Sequence, residues 1–399
     1  MNTRESPFGV PIGRAEAAPL DVDGMTALAL RGLPRMYRAN HHRFAQTVRR
    51  STSGGAISVE GANSRYGSIV VLGAAKLDLF SQRRIFAGST AAFVAEAIAE
   101  RVERSSDLGV VALAAWASAE VAHVARTTLL DRLADAIDGA EPLSTVELAW
   151  ALTALTAAAR FADFSSAAER AAYRLLAAQG PHGLFPHAVP ATSLGRWRAH
   201  VGCFADQVYP IQALARYHLL SGMDRSIAAA NRCADRIAEL QGPAGQWWWH
   251  YDVRTGGIVE RYPVYSVHQH AMAPMALSEL REAGGSDHTA AITKGAAWLL
   301  RHPETTAPLI DAENGVIWRK VGRREPRKVV RSLRAVATSV HADLRLRALD
   351  RLFPVGPVDY ECRPYELGWF VYAWHGAPLA RAQPKPAPVY DRQSGTGGP

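Results

Sequence analysis

The sequence predicts an all-α protein folded as a closed (α/α)6 toroid, which is a ring of six helix hairpins. Three observations lead to this fold class. Apolar helical segments alternate with amphipathic ones along most of the chain. The composition, with 48% hydrophobic residues and abundant Ala, Leu and Arg, favours helix wherever the pattern is ambiguous. One stretch of loop and helix recurs further along the chain, which is typical of a repeated helix pair.

Six helices are expected to form the inner circle, because each is apolar nearly all round and must therefore be buried. They begin near Arg65, Leu108, Thr145, Asp206, His268 and Arg363. Six amphipathic segments alternate with them and should face water on the outside, near residues 89–104, 121–138, 165–178, 224–240, 286–301 and 332–352. An open solenoid would need a polar last helix. The last inner segment, 365–374, is strongly apolar, so we expect the ring to close.

Ahead of the ring, a first helix is predicted over residues 25–49, ending at the break STSGG. A single toroid domain is expected over residues 25–376. The segment 1–24 and the tail 377–399, which is rich in Pro, Gly and Gln, are predicted to be disordered.

The repeated stretch lies in the middle of the chain. QGPHGLF at 179–185 corresponds to QGPAGQW at 241–247, an offset of 62 residues (241 minus 179). The same offset carries Asp206 onto His268, at the heads of two predicted inner helices. We therefore expect Asp206 and His268 to point into the same central cavity.

The composition argues against several classes of protein. No run of about 18 uncharged apolar residues occurs, and the first residues lack the apolar stretch of a signal peptide, so we expect a cytoplasmic protein without a transmembrane segment. Cys203, Cys233 and Cys362 have no paired spacing, which favours buried free thiols over disulfides or zinc ligands. The formal charge is +8 without a DNA-binding motif, so we expect no nucleic-acid partner.

Much of the positive charge lies in residues 319–334, here called the basic arm. Six basic side chains between residues 320 and 331 are opposed only by Glu325. A solvated surface, an anionic ligand, an acidic partner and a membrane surface each explain such a cluster. We predict that the arm lies beside the cavity mouth and raises affinity for an anionic ligand.

Two motifs resemble those of known toroid proteins. Q-x-x-x-G-x-W at 241–247 resembles the core of the QW repeat of terpenoid cyclases and protein prenyltransferases, and Q-x-x-x-G-x-F at 179–185 is a degenerate copy. The passage GQWWWHYD…ERYPVYSVHQHAMAPMAL, 245–277, also resembles the G-x-W-x-x-x-D loops of six-hairpin glycosidases and related sugar epimerases. Both superfamilies are α/α toroids, so the resemblance implies this fold over about residues 25–376.

The sequence departs from the terpenoid pattern in two ways. The Asp-x-Asp-Asp motif with which class II terpene cyclases protonate an alkene is missing, and the one Asp-x-Asp, Asp21 and Asp23, lies near the start. A prenyltransferase-like zinc site needs Asp, Cys and His. Asp359, Cys362 and His375 have these types but not the family's spacing. We therefore predict no metal site and no cofactor.

The candidate catalytic residues are acids and histidines expected at the cavity: Asp206, Asp252, His250, His268 and Glu366. Two carboxylates in one pocket are the minimum for glycosidic bond cleavage. A carboxylate with a histidine suffices for epimerase or lyase chemistry, in which a proton moves at carbon. Structural roles are the alternative: Asp206 or Glu366 can serve a helix start, and His250 can hydrogen-bond Asp252 within a loop.

The candidate substrate-binding residues are polar and aromatic side chains at the same helix starts and loops: Trp247, Trp248, Gln207, Tyr209, Gln269, Arg65, Arg363 and Tyr365. A tryptophan face can stack on a sugar ring, a hydrocarbon cation or a neighbouring helix. The three consecutive tryptophans at 247–249 cannot all face one direction, so one or two of them should belong to the core.

Together these features predict a carbohydrate-active enzyme, a hydrolase, lyase or epimerase, acting on an oligosaccharide or sugar, with acidic sugars among the candidates. An isoprenoid-binding or isoprenoid-cyclising protein is the alternative, and a toroid that binds a glycan or a protein without catalysis is a third. A wet cavity lined by carboxylates and tyrosines favours sugar, whereas a dry one lined by Phe and Trp favours isoprenoid. The low aromatic content, 8%, favours sugar. The oligomeric state is left open.

Overall fold

The computed structural model describes residues 20–51, 55–342, 344 and 346–375. In these ranges the chain is mainly helical. Its α-helices are α1 (Val22–Met36), α2 (Ser64–Ala74), α3 (Leu79–Ile85), α4 (Ala91–Val102), α5 (Leu108–Ala117), α6 (Thr127–Asp138), α7 (Thr145–Ala158), α8 (Ser165–Ala178), α9 (Ala205–Ser221), α10 (Asp224–Glu239), α11 (Ala273–Glu282), α12 (Thr289–Trp298), α13 (Val329–Val340), α14 (Arg347–Leu352) and α15 (Pro364–Trp374). One π-helical turn, Ser118–Ala122, follows α5, and another, His268–Met272, precedes α11.

Short strands connect the helices. They are β1 (Tyr37–Arg38), β2 (Arg43–Phe44), β3 (Thr47–Arg50), β4 (Ile57–Glu60), β5 (Leu143–Ser144), β6 (Ala188–Val189), β7 (Val201–Cys203), β8 (His250–Asp252), β9 (Ile258–Glu260), β10 (Val264–Tyr265), β11 (Ile310–Asp311), β12 (Val316–Ile317), β13 (Lys320–Arg323), β14 (Val355–Asp359) and β15 (Glu361–Cys362). Within the described residues they pair only as antiparallel sheets of two or three strands, including β7-β8-β9, β10-β13-β14 and β15-β3-β4. Strands β5, β7, β10 and β15 each lead into an inner helix, so these sheets lie where the inner helices begin.

Six helices form the inner circle: α2, α5, α7, α9, α11 with its π-helical turn, and α15. Each contacts the next, and α15 contacts both α11 and α2, which closes the ring. The closed toroid and the six predicted inner helices are confirmed. Their burial explains the apolar pattern, since α5 is buried at every position after its first residue.

The outer circle is nearly as predicted. Helices α4, α6, α8, α10 and α12 pack on the inner helices, and the sixth outer position, against α15, is held by α1. The segment 332–352, predicted to fill that position, lies elsewhere. It contains parts of α13 and α14, and α13 packs on β9, where Ala335 joins Val201 and Val259 in a small apolar cluster. An amphipathic pattern shows that one face is buried, and it does not show which element covers that face.

The predicted first helix, 25–49, is wrong beyond residue 36. Helix α1 covers Val22–Met36 and is capped by Asp21, whose side chain accepts a hydrogen bond from a backbone N–H of the first turn. Residues 47–50 form β3, which pairs with β4 and with β15 near the other end of the described chain. Pairing with such a distant strand leaves no trace in a local pattern.

Hydrogen bonds separated by 62 residues confirm the internal repeat. Gln179 Nε2 donates to the carbonyl oxygen of Ala229 at 2.8 Å, and Gln241 Nε2 donates to that of Ala291 at 2.9 Å. Each glutamine thereby attaches its loop to the outer helix that follows, α10 or α12. The motif glutamine is therefore an architectural residue in both copies.

The motif glycines meet the same outer helices. Gly183 and Gly245 have φ of +85° and +96°, which disfavours any side chain. A Cβ added at Gly183 would lie 2.6 Å from the carbonyl oxygen of Arg232, and one at Gly245 would lie 2.0 Å from that of Lys294. Close backbone approach explains why both copies keep glycine here.

The predicted disordered ends lie mostly outside the described residues, which begin at 20 and end at 375. The start of α1 places the predicted boundary at residue 25 inside a helix. Within the described ranges no helix is long and apolar enough to cross a membrane. Cys233 and Cys362 are buried, as predicted, whereas Cys203 is only partly buried.

Candidate active site

The starts of the inner helices meet at one end of the ring, here called the mouth. Arg65 in the first turn of α2 joins two neighbouring starts. Its Nε donates to Asp107 Oδ1 at 3.1 Å, and its Nη2 donates to Glu147 Oε1 at 2.7 Å. Asp107 is the N-cap of α5, and Glu147 lies in the first turn of α7. Three helix starts are thus joined by one chain of ion pairs on the rim.

The starts of α2 and α15 are joined by Tyr66 and Tyr365, whose ring centroids are 4.9 Å apart. Arg363 Nη1 donates to the Tyr66 hydroxyl at 2.8 Å, and Arg363 Nη2 lies 3.5 Å from Glu361 Oε2. Burial raises the pKa of Tyr365, so its hydroxyl stays protonated. The structure therefore brings Arg363 and Tyr365, two predicted binding residues, to the same rim as Arg65.

Asp206 lies in the first turn of α9 and is fully buried. Its Oδ2 accepts a hydrogen bond from Cys203 N at 2.7 Å and lies 2.9 Å from His187 Nδ1. The hydrogen bond to Asp206 and its charge raise the pKa of His187. Asp206 Oδ1 is buried and has no hydrogen-bond partner among the described residues. Because buried carboxylate oxygens are normally hydrogen-bonded, this free oxygen marks Asp206 as a functional candidate.

Glu366 lies in the first turn of α15 and is fully buried, with neither carboxyl oxygen hydrogen-bonded. Burial raises its pKa from the ordinary 4.5 to about 8, and Arg319 and Arg363 offset only part of this effect. Glu366 therefore keeps its proton at neutral pH. A carboxyl group in this state can act as a general acid.

A hydrogen bond one turn deeper places Asp206 and Glu366 on facing helix surfaces. Tyr209 follows Asp206 by three residues, and Trp369 follows Glu366 by three. The Trp369 indole N–H donates to the Tyr209 hydroxyl at 3.0 Å. Residues three apart share one face of a helix, so both carboxyl groups lie on the faces that this bond joins. Tyr209, predicted to bind substrate, is thus part of the floor, where it also packs edge-on against Trp150.

An aromatic wall adjoins this pair, formed by Trp249, His250, Tyr265 and His268. The Trp249 ring centroid is 5.0 Å from that of His250 and 4.7 Å from that of Tyr265. Trp249 also stacks on His268 at 5.9 Å, with 7° between the ring planes. His250 lies opposite Cys203 in the β7–β8 pairing, which connects the wall to the Asp206 side of the mouth. Trp249 is not among the predicted binding residues, because three identical neighbours give no sign of which one faces inward.

His250 and His268 are neutral. Burial lowers the pKa of His268 to about 3, with Arg319 adding to the effect. Burial also holds the pKa of His250 well below its usual range, and Arg198 and Arg331 lower it further. In both rings Nδ1 is buried without a partner. Neutral imidazoles with a free nitrogen can hydrogen-bond the hydroxyl groups of a ligand.

Trp247 and Trp248 make their contacts within the scaffold. Trp247 is fully buried, with its ring centroid 5.7 Å from that of Phe204. Trp248 Nε1 donates to the Leu240 carbonyl at 2.8 Å, and its ring packs edge-on against Tyr262 at 6.0 Å. The rings of these two predicted binding residues therefore pack against other protein side chains, and the Trp248 N–H is bonded to the backbone.

Gln207 and Gln269, also predicted to bind substrate, close the loops that precede their helices. Gln207 Oε1 accepts from Phe185 N at 2.8 Å, and its Nε2 donates to Phe185 O at 2.9 Å. Gln269 Oε1 accepts from Trp247 N at 3.0 Å, and its Nε2 donates to Tyr265 O at 3.0 Å. Both amides are engaged with backbone, which explains why the repeat includes a glutamine here.

Asp252, a predicted catalytic residue, is buried on β8 and held by Arg254. Its Oδ1 accepts from Arg254 N at 2.9 Å, and its Oδ2 lies 2.9 Å from Arg254 Nη2. Arg254 Nη2 also donates to the Thr338 carbonyl in α13 at 2.8 Å. Both carboxylate oxygens are therefore engaged in a turn that anchors α13.

The basic arm touches the mouth at two points. The guanidinium carbons of Arg319 and Arg331 lie 5.2 Å and 5.8 Å from ring centroids of the aromatic wall. Other residues of the arm are engaged elsewhere, since Arg323 Nη2 lies 2.6 Å from Asp350 Oδ1. Lys328 is exposed. The arm is thus divided between cavity, ion pairs and solvent.

His187 completes the Asp206 side of the mouth and is not among the predicted residues. The one signal that could have identified it is its place in the repeat, two residues after the aromatic that corresponds to Trp247. The His187 imidazole, the Cys203 thiol and the Asp206 carboxylate each offer a possible metal-ligand atom, and these atoms all lie within 4.8 Å of one another.

The other Asp, Cys and His set considered above does not assemble in the described ranges. Lys320 Nζ lies 2.9 Å from Asp359 Oδ2, and His375 Nε2 lies 2.6 Å from Thr26 Oγ1. Cys362 is buried on β15. These three side chains therefore serve separate local contacts.

Solved structures with this architecture match nearly the whole chain. An unsaturated glucuronyl hydrolase specific for heparin superposes with a TM-score of 0.56 at 12% identity, covering 88% of this chain and 95% of its own. An unsaturated glucuronyl hydrolase from Bacillus sp. GL1 superposes with a TM-score of 0.53 at 12% identity, covering 89% of this chain and 95% of its own. A possible member of the GH105 family from Salmonella enterica serovar Paratyphi A superposes with a TM-score of 0.52 at 10% identity, covering 94% of this chain and 98% of its own.

At these identities the likeness shows the fold, a helical toroid of the kind implied by the glycosidase resemblance. No protein family and no curated protein matches the sequence.

Proposed function

We propose that this chain is a carbohydrate-active enzyme, a hydrolase, lyase or epimerase, with Asp206 and Glu366 as its acid–base pair. The observation that carries the proposal is the buried pair itself: three carboxyl oxygens without partners, on facing surfaces at the mouth of the ring. Such groups are costly to bury unless a ligand or a reaction uses them.

The two carboxyl groups are suited to different steps. Glu366 holds a proton at neutral pH. It can donate this proton to the leaving-group oxygen in glycosidic bond cleavage, or to a substrate carbon in epimerisation. Asp206, oriented by His187 and by Cys203 N, presents its free Oδ1 as a base or nucleophile. Opposite environments for two carboxyl groups in one site are the usual basis of glycosidic bond chemistry.

We further propose an oligosaccharide or sugar with an acidic group as the substrate. Trp249 is partly exposed and can contact a sugar ring, and the neutral histidines offer nitrogen atoms to hydroxyl groups. Arg319 and Arg331 beside this wall supply positive charge for a carboxylate or sulfate. Two structural neighbours have names that describe glucuronyl hydrolases, one of them specific for heparin, which agrees with an acidic substrate. The three free thiols support a cytoplasmic location.

One observation favours the isoprenoid alternative. The floor below the carboxyl pair is aromatic, with Tyr209 in contact with both Trp150 and Trp369. The rim above it is formed by the charged side chains of Arg65, Glu147 and other ion-paired residues, which a hydrocarbon would have to desolvate. The sugar proposal accounts for both levels, since aromatic floors also bind sugar faces.

The test is turnover of a panel of disaccharides that contain uronic acid. Hydrolysis is detected by the release of reducing sugar, and epimerised or unsaturated products are detected by NMR. Asp206→Asn and Glu366→Gln should each lower the rate by about 10²–10⁴-fold, the usual scale for a general acid or base, with unchanged circular dichroism. Asp252→Asn is the matched control and should lower thermal stability with little effect on rate. Turnover unaffected by both active-site variants would overturn the proposal, and binding without turnover in the native protein would favour a non-catalytic toroid.

A further inference from the structure

The mouth contains three side chains with the chemistry of a transition-metal site. We propose that His187, Cys203 and Asp206 bind one Zn²⁺ ion. Nitrogen, sulfur and carboxylate oxygen are the ligand set that zinc prefers in proteins, and the thiolate disfavours Mg²⁺ and Ca²⁺. This inference goes beyond the proposed acid–base function and is tested by metal stoichiometry, without reference to turnover. With zinc bound, Asp206 and His187 would be metal ligands, so the base role proposed above for Asp206 would apply to the metal-free protein.

The distances suit a zinc ion after small side-chain movements. The three ligand atoms lie within 4.8 Å of one another, and His187 Nδ1 lies 2.9 Å from Asp206 Oδ2. Zinc bonds of about 2.0–2.3 Å in tetrahedral geometry place ligand atoms about 3.3–3.8 Å apart. Binding releases the Cys203 thiol proton and any proton on His187 Nδ1, since the metal takes the place that these protons hold.

The free oxygen of Asp206 is the second, independent observation. The residue is fully buried, and its Oδ1 has no partner among the described residues. A buried carboxylate oxygen without a hydrogen bond is unfavourable, and a cation bound by the Asp206 carboxylate would offset that cost. Together with the Cys203 thiolate, Asp206 would balance the charge of a divalent ion.

The backbone holds the three ligands firmly. Cys203 lies on β7, which pairs with β8. Asp206 is the second residue of the next helix, α9. His187 is fixed by Thr145 N, which donates to its carbonyl at 3.1 Å, and by its own N–H, which donates to Val201 O at 3.2 Å. Preorganised ligands raise metal affinity because little conformational entropy is lost on binding.

The fourth position would face the mouth. The His187 side chain is 47% exposed, while Asp206 is fully buried, so the set is open on the histidine side. Three protein ligands with an open fourth position are typical of zinc ions that bind water or a substrate oxygen.

The test uses untagged full-length protein, stripped with a chelator and titrated with ZnCl₂ by calorimetry, with metal content measured after dialysis. One zinc per chain is expected. Cys203→Ser and His187→Gln should each weaken binding on the order of 100-fold or more, since even changes outside the ligand set cost 10–100-fold. Cys362→Ser is the matched control and should bind like the native protein.

Cobalt substitution gives a second readout. Bound Co²⁺ should show thiolate-to-metal charge-transfer absorption that disappears in Cys203→Ser and persists in Cys362→Ser. His187→Gln changes a half-exposed side chain, so it keeps the test valid even if Cys203→Ser misfolds. Zinc binding that is not stoichiometric, or is equally strong in His187→Gln, would overturn the proposal.

Discussion

Two glutamates of the same ring, Glu120 with a side chain 20% exposed and Glu366 fully buried, have opposite ionisation states. Burial alone would raise the pKa of Glu120, but Arg216 and Lys76 lower it to about 2. Burial raises the pKa of Glu366 to about 8, because Arg319 and Arg363 only partly offset it. Glu120 follows α5 and Glu366 opens α15, so they belong to opposite ends of the inner circle.

At the closed end the charged groups are paired with one another. Arg216 Nε lies 2.7 Å from Glu279 Oε2, and its Nη1 lies 2.6 Å from Glu120 Oε2. The Tyr372 hydroxyl donates to Glu279 Oε1 at 2.8 Å. Arg216 lies ten residues after Asp206 on α9, or about 15 Å along the helix axis. One helix thus carries an unsatisfied carboxylate at the mouth and a fully paired arginine at the other end.

The difference teaches how to separate structural from functional polar groups in this fold. Glu279 at the closed end is buried, as Asp206 and Glu366 are at the mouth, so burial does not distinguish the two ends. At the closed end, pairing of the charged side chains joins four inner elements and stabilises the ring. At the mouth, carboxyl oxygens of Asp206 and Glu366 have no partner among the described residues and are left to bind a ligand.

The largest expected effect is on the closed end. Arg216→Met should destabilise the protein by about 3–5 kcal/mol, because Glu279 would be left buried without its cation. Urea denaturation followed by circular dichroism measures this loss. Arg170→Met, which breaks an exposed pair with Asp138, is the matched control and should cost at most about 1 kcal/mol. Equal effects of both variants would remove the distinction between the two ends.

The next effect concerns pH and the two glutamates. Glu366 binds its proton more tightly when folded, so its contribution to stability is complete below pH 4.5 and is lost as pH rises towards about 8, by roughly 1.4 kcal/mol per unit. Glu366→Gln should therefore flatten the stability profile between these values. Glu120→Gln should instead lower stability at neutral pH, where the ionised Glu120 is stabilising. Unfolding measured from pH 2.5 to 9 tests both, because the Glu120 contribution is lost as pH falls from 4.5 towards about 2. Slopes of the same sign in the two windows would contradict the comparison.

A smaller effect is expected at His268. Its pKa is about 3 when folded and ordinarily 6.5, so stability falls as pH drops below 6.5, when the unfolded chain takes up a proton that the folded chain excludes. His268→Phe keeps a ring beside Trp249 and should reduce this loss by roughly 2 kcal/mol at pH 5. Thermal unfolding at pH 5 and pH 7 measures the change. His218→Phe, on the exposed end of α9, is the control; a similar gain there would place the effect outside the mouth.

The smallest effect separates the two parts of the basic arm. Arg331→Gln should weaken binding of an anionic disaccharide about twofold to fivefold, the range for partly exposed charges, and should reduce its salt dependence. Lys328→Gln removes the same charge from an exposed position away from the wall and should leave affinity nearly unchanged. Calorimetry at two salt concentrations compares them. Equal losses would mean that the arm acts only through its total charge.

The inner helices, their alternation with amphipathic segments and the repeat could be predicted from the amino-acid sequence, because these features depend on local patterns. Inner helices such as α5 are apolar all round, and the 62-residue offset predicted that Gln207 and Gln269 occupy equivalent positions, as their hydrogen bonds show. The placement of Asp206 and Glu366 at helix starts followed from the same patterns.

Which residues meet depends on the folded chain. The pairing of β3 with β15, the use of α1 as the sixth outer helix, and the stacking of Trp249 on His268 depend on contacts between separate segments. His187 reaches Asp206 because β7 and its neighbouring loop fold back onto α9. Local periodicity encodes burial and helix ends, but a side chain's partner is set by closure of the ring, which joins segments hundreds of residues apart.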